Sequence, residues 1–364
     1  MPVIDADTHV DETEDTWAYL EPHEERFRPQ TQFPANPDPS RPPMRYWLIE
    51  GKRQLRFIRN DATTGTTVAT RELLDVEARL RHMDELGTEI QVIYPTLFLV
   101  EFTEDPELEL ALRRSYNRWL AGRCSQSRGR LRWVCLPPVM SMDKALEELR
   151  WAKDHGACGV AKKGDREAGK WVNDEYFFPL YEQAEKLDMP ICFHLGSGTP
   201  DFSPAREFSS SRYLRIQLPV HNAFLTLLVH GVPARFPHLR WGFIETGSSW
   251  VPSVLYDASR ARRHAKATAG SSPLSVATVA DDLLSDEVRR NRFYITCHAD
   301  EDLPYIMRFT GEDNLIMGSD YTHSDPGQEW HFQRSLEARA ERGEISHEAV
   351  RKITYDNPKA FYGL

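Results

Sequence analysis

The chain has no segment approaching the roughly 20 apolar residues that a membrane-spanning helix needs. Its N-terminus carries no basic stretch followed by an apolar run, so neither secretion nor membrane anchoring is expected. There is no block of Lys and Arg, and the formal charge is -10, which argues against nucleic acid or an anionic membrane surface as the main partner. The five cysteines (Cys124, Cys135, Cys158, Cys192, Cys297) are well separated and form no C-x-x-C pair, as expected of reduced, buried thiols in a cytoplasmic protein. No G-x-G-x-x-G opens a helix after the first strand and no G-x-x-x-x-G-K-[ST] occurs, which removes support for dinucleotide or P-loop binding. A small-molecule partner is the default that remains.

What is present is a long alternation of apolar runs and helical periodicities. Strand-like runs occur at Pro2 to His9, Glu89 to Thr96, Leu131 to Leu136, Gly159 to Lys163, Pro190 to His194, Leu239 to Glu245, Arg292 to His298 and Asn314 to Asp320. Helical patterns follow over Ala69 to Leu86, Pro106 to Arg128, Met142 to His155, Asp174 to Leu187 and Leu214 to Phe236, and another begins near Trp250. Alternation of this kind calls for a parallel sheet with helices outside, and eight strands favour closure into a (β/α)8 TIM barrel. Residues 1–364 are read as one such domain. Residues 10–68, rich in Pro and charge, are read as an insertion or lid after the first strand, with a hairpin over Gly51 to Arg59. Aromatics within it (Trp17, Tyr19, Phe33, Tyr46, Trp47, Phe57) suggest an apolar or aromatic substrate, and an arm of that length could dock on a second copy of the chain.

Barrel enzymes place their chemistry at the C-terminal ends of the strands. There this sequence sets Asp7 and His9, Lys162 or Lys163, His194, Glu245, His298, and Asp320 with His323. On an extended first strand Asp5, Asp7 and His9 project to one side. So many ionisable groups in one mouth would be costly to bury without a cation, and a His, Asp and Glu mixture suits zinc, iron or manganese better than calcium. One or two divalent ions are expected. A single catalytic ion uses about three protein ligands, so the surplus of donors favours two, with outer partners of one ion as the competing account. His221 and His230, nine residues apart in a helical stretch, fall on opposite faces and read as core or surface residues. His264, among Arg260, Arg262, Arg263 and Lys266, reads as part of a solvated basic helix.

Several segments together resemble the amidohydrolase superfamily, in the branch that holds aminocarboxymuconate semialdehyde and resorcylate decarboxylases. They are Val3 to His9, Arg79 to Asp84, Phe193 to Gly196, Arg235 to Leu239, Met317 to His323 and Asn357 to Gly363. The resemblance implies that Asp7 and His9 stand at the first-strand H-x-H ligand positions, His194 at the fifth-strand His and Asp320 at the eighth-strand Asp. Asp7 departs from His in the manner of the single-metal decarboxylases. Glu245 falls where a sixth-strand His is common, and Lys162 lies on the strand that carries a carboxylated, metal-bridging lysine in some members; alternation lets only one of Lys162 and Lys163 face inward.

Three reactions fit. The leading expectation is hydrolysis of an ester, thioester or amide-type bond by a metal-bound water, with Asp320 taking the water proton and Glu245 and His298 as further catalytic groups. The alternatives are a non-haem di-iron monooxygenase, suggested by the three carboxylates, and a non-oxidative decarboxylase.

Overall fold

The computed structural model describes residues 2–34, 45–56, 59–196, 213–267, 284–324 and 327–364. Eight parallel strands form one sheet in chain order: β1 (Ile4–His9), β5 (Ile90–Tyr94), β6 (Leu131–Cys135), β7 (Ala157–Lys163), β8 (Ile191–His194), β9 (Trp241–Ile244), β10 (Phe293–Thr296) and β11 (Leu315–Ile316). The last strand returns to the first. Ala6 N–H donates to Met317 O at 3.2 Å, His9 N–H to Tyr321 O at 2.8 Å and Asp320 N–H to Asp7 O at 3.0 Å, while Thr8 bridges Tyr321. This is the expected (β/α)8 barrel, and its strands are buried on both faces because helices cover the outside.

The expected helices form with local corrections. The 69–86 pattern divides into Val68–Arg71 and Val76–Leu86, because the Asp75 side chain accepts from Ala78 N–H and starts a new helix, which ends at Gly87 in the left-handed region. The 214–236 pattern becomes a π turn at Tyr213–Gln217, a helix at Leu218–His230 and a 3-10 turn at Val232–Arg235, separated by Gly231 at φ 65°. The hairpin lies earlier than the sequence suggested. Between β1 and β5 a three-stranded antiparallel sheet joins β2 (Gln30–Gln32), β3 (Arg45–Ile49) and β4 (Lys52–Arg56). The β3–β4 turn is Glu50-Gly51, both at positive φ, so Gly51 is the turn itself and not the first strand residue.

The insertion is anchored at the end of β5. Glu12 accepts from Thr96 N–H and Leu97 N–H, each at 2.9 Å, and the Trp17 ring meets Trp47 and Phe98 edge to face. Trp17 and Trp47 are fully buried in this packing, so they are core of the insertion and not a lining for substrate. Tyr19 and Phe33 face solvent, and Phe57 lies outside the described residues. At the other end the chain terminus fills the floor: the Tyr362 hydroxyl bonds Tyr94 and Ala6 O, and Gly242 lacks a side chain where the Phe361 ring stands.

Candidate metal centre

Asp7 and His9 leave β1 toward the barrel axis, and His194 closes β8. Glu245 and Asp320 each follow the last paired residues of their strands, at φ 64° and 53°. Left-handed backbone at non-glycine residues costs about 1–3 kcal/mol each. Here it turns two carboxylates into the mouth as the strand ends.

These side chains converge. The Nε2 atoms of His9 and His194 lie 3.4 and 3.2 Å from Asp7 Oδ1; His9 Nε2 is 3.5 Å from Asp320 Oδ1, and His194 Nε2 is 3.6 Å from Glu245 Oε2. Asp7, His9, His194 and Glu245 form one group, and His9, Glu245, Asp320 and His323 a second, each with one ligand atom per residue within 4.8 Å of the others. The groups share His9 and Glu245. Every member is buried.

The histidine tautomers test whether a cation fits. His9 Nδ1 donates to Pro95 O at 2.8 Å and His194 Nδ1 donates to Leu195 O at 2.6 Å, which turns each Nε2 toward the carboxylates, where His194 Nε2 is within hydrogen-bond distance of Asp7 Oδ1 at 3.2 Å. A carbonyl partner on the far nitrogen is the usual support of a metal-binding histidine. With both rings neutral, each Nε2 lone pair would face carboxylate oxygens at 3.2 to 3.6 Å in a dry chamber, which is repulsive unless a proton or a cation lies between, and His9 Nε2 makes no hydrogen bond. The residues fit a divalent ion.

The charge balance agrees. Burial would raise the Asp7 carboxyl, but His194 and His9 outweigh it and hold the group below the ordinary carboxylate range. Burial would lower His194, yet Asp7 and Glu245 hold it above its ordinary value, so the carboxylates around this ring favour positive charge at its position. Burial, with the charges of His9, Arg59 and His194 adding, keeps His323 far below its ordinary value and neutral. Its Nδ1 lies 2.8 Å from Asp320 Oδ1, and its Nε2 is hydrogen-bonded to Thr96 Oγ1 at 3.0 Å.

Other expected residues go elsewhere. Lys162 is turned out of the barrel: its Nζ sits 2.8 Å from Glu167 Oε2 and 3.6 Å from the Phe177 ring centroid. It belongs to neither ligand group. The register pairs Lys163 with His194, so alternation gives the inward position to Lys163. His298 is also outside both groups, part-exposed between Gly247 and Gly327, where a Cβ on either glycine would strike its ring. Asp5 does not reach the mouth; it accepts from Ser319 N–H at 2.8 Å and Ser319 Oγ at 2.6 Å, fixing the turn that presents Asp320. His221 stacks on Trp250 inside the helix layer and His230 is exposed, in line with roles outside the centre. His264 is exposed on its helix, and the side chains of Arg262, Arg263 and Lys266 lie outside the described residues.

Sequence reasoning missed two supports. Arg79, fully buried, donates from Nε to Gln91 and from Nη1 to His9 O at 2.8 Å, and stacks over Tyr321. Thr96 orients His323. Arg79 opened a segment that carried the resemblance, which was the available signal; Thr96 offered none.

A family model described as amidohydrolase matches residues 4–364. The chain belongs to the amidohydrolase family. Among its relatives is gamma-resorcylate decarboxylase of Rhizobium sp. (strain MTP-10005), 28% identical over 138 residues, or 36% of this chain and 42% of that protein. The match thus spans less than half the length of that relative. Among solved structures, amidohydrolase map2389c from Mycobacterium avium subsp. paratuberculosis K-10 superposes with a TM-score of 0.77 at 21% identity, over 100% of this chain and 98% of the other. 5-Carboxyvanillate decarboxylase from Novosphingobium aromaticivorans, solved with manganese and a nitrobenzoic acid, superposes at 0.67 with 18% identity and 82% coverage of both chains.

The two of these amidohydrolases that carry a specific reaction are decarboxylases. That overturns the expectation of ester, thioester or amide hydrolysis, and the di-iron monooxygenase alternative with it. The outward turn of Lys162 supplies a physical reason, since the side chain that would bridge two hydrolytic ions is spent on Glu167. The divalent-metal expectation stands on the two ligand groups. Among the described residues no helix is long and apolar enough to cross a membrane.

Proposed function

We propose that this amidohydrolase is a metal-dependent non-oxidative decarboxylase of an aromatic or unsaturated carboxylic acid. The observation that carries the reading is the overlap of two donor groups, Asp7, His9, His194, Glu245 and His9, Glu245, Asp320, His323, which share His9 and Glu245, while Lys162 is withdrawn. This is a centre for one ion, and it goes with the decarboxylase likeness of the chain.

In this reading Asp7, His9, His194 and Asp320 hold the ion, with Glu245 beside them; manganese is the first candidate, and zinc and iron remain alternatives. When bound, the ion supplies positive charge that fixes the acidic oxygens of the substrate. The bond to the carboxylate carbon breaks, its electron pair stays on the substrate carbon, CO2 leaves, and one proton is added at the vacated carbon. Asp320 Oδ1, 2.8 Å from His323 Nδ1, is the group placed to hold that proton, and Thr96 fixes His323 in the required orientation. Glu245 shapes the charge beside His194. Residues 1–364 act as one catalytic domain, with residues 10–68 covering part of the mouth.

The test is CO2 release from a panel of hydroxylated benzoates by manganese-loaded protein in D2O. Product carrying one deuterium at the vacated carbon is expected. A metal-replete protein that releases no CO2 from any member of the panel would sink the reading.

A further inference from the structure

Thr96 stands at the N-cap of the short 3-10 turn Leu97–Leu99, yet its hydroxyl does not cap that turn. A threonine in this position ordinarily turns its oxygen back on the first free backbone N–H groups. Here Thr96 Oγ1 is hydrogen-bonded to His323 Nε2 at 3.0 Å. The capping role is filled from the insertion: Glu12 Oε1 accepts from Thr96 N–H and Glu12 Oε2 from Leu97 N–H, each at 2.9 Å, and Glu12 itself is only 3% exposed.

The residue before Thr96 carries a second tie, since the Pro95 carbonyl accepts from His9 Nδ1 at 2.8 Å. One buried carboxylate therefore grips the loop at residues 95–97, whose Pro95 carbonyl holds His9 and whose Thr96 hydroxyl holds His323. Those two rings stack, with centroids 3.8 Å apart. His194 is supported elsewhere, by Leu195 O at 2.6 Å from its Nδ1. Burial raises the Glu12 carboxyl to about 7; the backbone bonds from Leu97 and Thr96 oppose the rise, and the charge of Asp11 adds to it. Asp11 in turn lies 3.0 Å from Arg59 Nε and 3.8 Å from Arg71 Nε, and Tyr116 is a further titratable group that senses Glu12.

We propose that Glu12 is a positioning residue of the metal centre: by capping the Leu97–Leu99 turn it frees the Thr96 hydroxyl for His323 and holds the Pro95 carbonyl against His9. Without the carboxylate, the Thr96 hydroxyl has two bare N–H groups beside it and turns back to them. That releases His323 and loosens the carbonyl behind His9. The insertion is thereby coupled to the ion through the loop after β5. The inference rests on the donor groups and not on the decarboxylase reading.

Zinc-loaded protein, which is diamagnetic, tests this without turnover, at a pH above that at which Glu12 ionises. Histidine ring nitrogen resonances, and zinc affinity by chelator competition, are compared in wild type, Glu12→Gln and Thr96→Val. Thr96→Val assigns the His323 signal, and His9 is assigned by its stacking on that ring. Glu12→Gln sets an amide NH2 against one of the two backbone donors, so the His9 and His323 signals should shift while His194, tied to Leu195 O, keeps its own. Zinc affinity should fall about tenfold to a hundredfold, the usual cost of losing an outer partner of a metal site. In the Thr96→Val background, Glu12→Gln should move the His323 signal no further, because the hydroxyl through which it acts is gone. Glu12→Asp keeps a carboxylate and should recover part of the affinity. If Glu12→Gln does not fold, Glu12→Asp carries the comparison, since a carboxylate withdrawn by one methylene should still shift His9 and His323 and spare His194. Unchanged His9 and His323 signals with unchanged zinc affinity, or shifts shared equally by His194, overturn the proposal. A protein that releases no CO2 yet shows the selective shifts would refute the reaction and keep Glu12 in its role.

Discussion

His9 and His194 meet edge to face, ring centroids 4.9 Å apart and planes at 86°, with both Nε2 atoms on the same oxygen of Asp7. Two histidines from strands that are not neighbours in the sheet meet at one oxygen because each far nitrogen is tied to a backbone carbonyl. The rings cannot rotate away without breaking a buried hydrogen bond. The centre is thus set before any ion arrives.

Removal of one of these rings should remove the ion and spare the fold. His194→Ala is expected to lose most bound metal by elemental analysis while retaining a cooperative thermal transition, since the barrel is held by its strands and its packed core. Full occupancy in that variant would displace His194 from the ligand set.

Metal stoichiometry should be one. The two ligand groups share His9 and Glu245, and Lys162 and His298 stand outside both, so the donors that suggested a second ion are not assembled for it. Titration of apo-protein is expected to saturate near one equivalent and His298→Ala to leave that value unchanged. A second tight equivalent lost in His298→Ala would restore the two-ion account.

Glu245→Gln keeps size and removes charge beside His194 Nε2. Turnover should fall by about two orders of magnitude or more, with a small change in melting temperature. Near-normal turnover would reduce Glu245 to a strand-end residue with no part in the chemistry.

Acid stability should depend on Glu167. Burial alone would raise its carboxyl, but Lys162, Arg113 and Lys163 hold it at about 2 instead of 4.5. A carboxyl with a depressed folded pKa contributes stability above its unfolded value, and that contribution is lost as pH falls from 4.5 towards 2. The shift corresponds to about 3 kcal/mol. Glu167→Gln should flatten the stability profile across that window and, by stranding buried Lys162, cost about 3–5 kcal/mol at neutral pH. Parallel urea-denaturation curves of the two proteins from pH 2 to 7 would refute the assignment.

Much of this was legible in the sequence because strand periodicity and strand order survive without coordinates. Asp7, His9, His194, Glu245, Asp320 and His323 were all picked out by one rule, that barrel chemistry sits at strand ends, and the structure gathers all six. Lys162 shows where the rule stops. Alternation states that one of Lys162 and Lys163 points inward but not which; only the pairing of Lys163 with His194 fixes the phase. His298 was at a strand end too, yet the close approach of Gly247 and Gly327 confines its ring at the rim. The aromatics of the insertion looked like a substrate lining, and packing of Trp17 on Trp47 and Phe98 made them core.

The sequence alone determined the barrel, the metal-capable residue types and the family, since these depend on local period, on residue chemistry and on motifs read along the chain. Tertiary structure decided which lysine faces the mouth, which histidine nitrogen carries the lone pair, and how many ions the donors can serve. Those depend on strand register and on hydrogen bonds between residues far apart in the chain, such as His9 with Pro95 and Asp5 with Ser319, and distances of that kind have no local signature in the sequence.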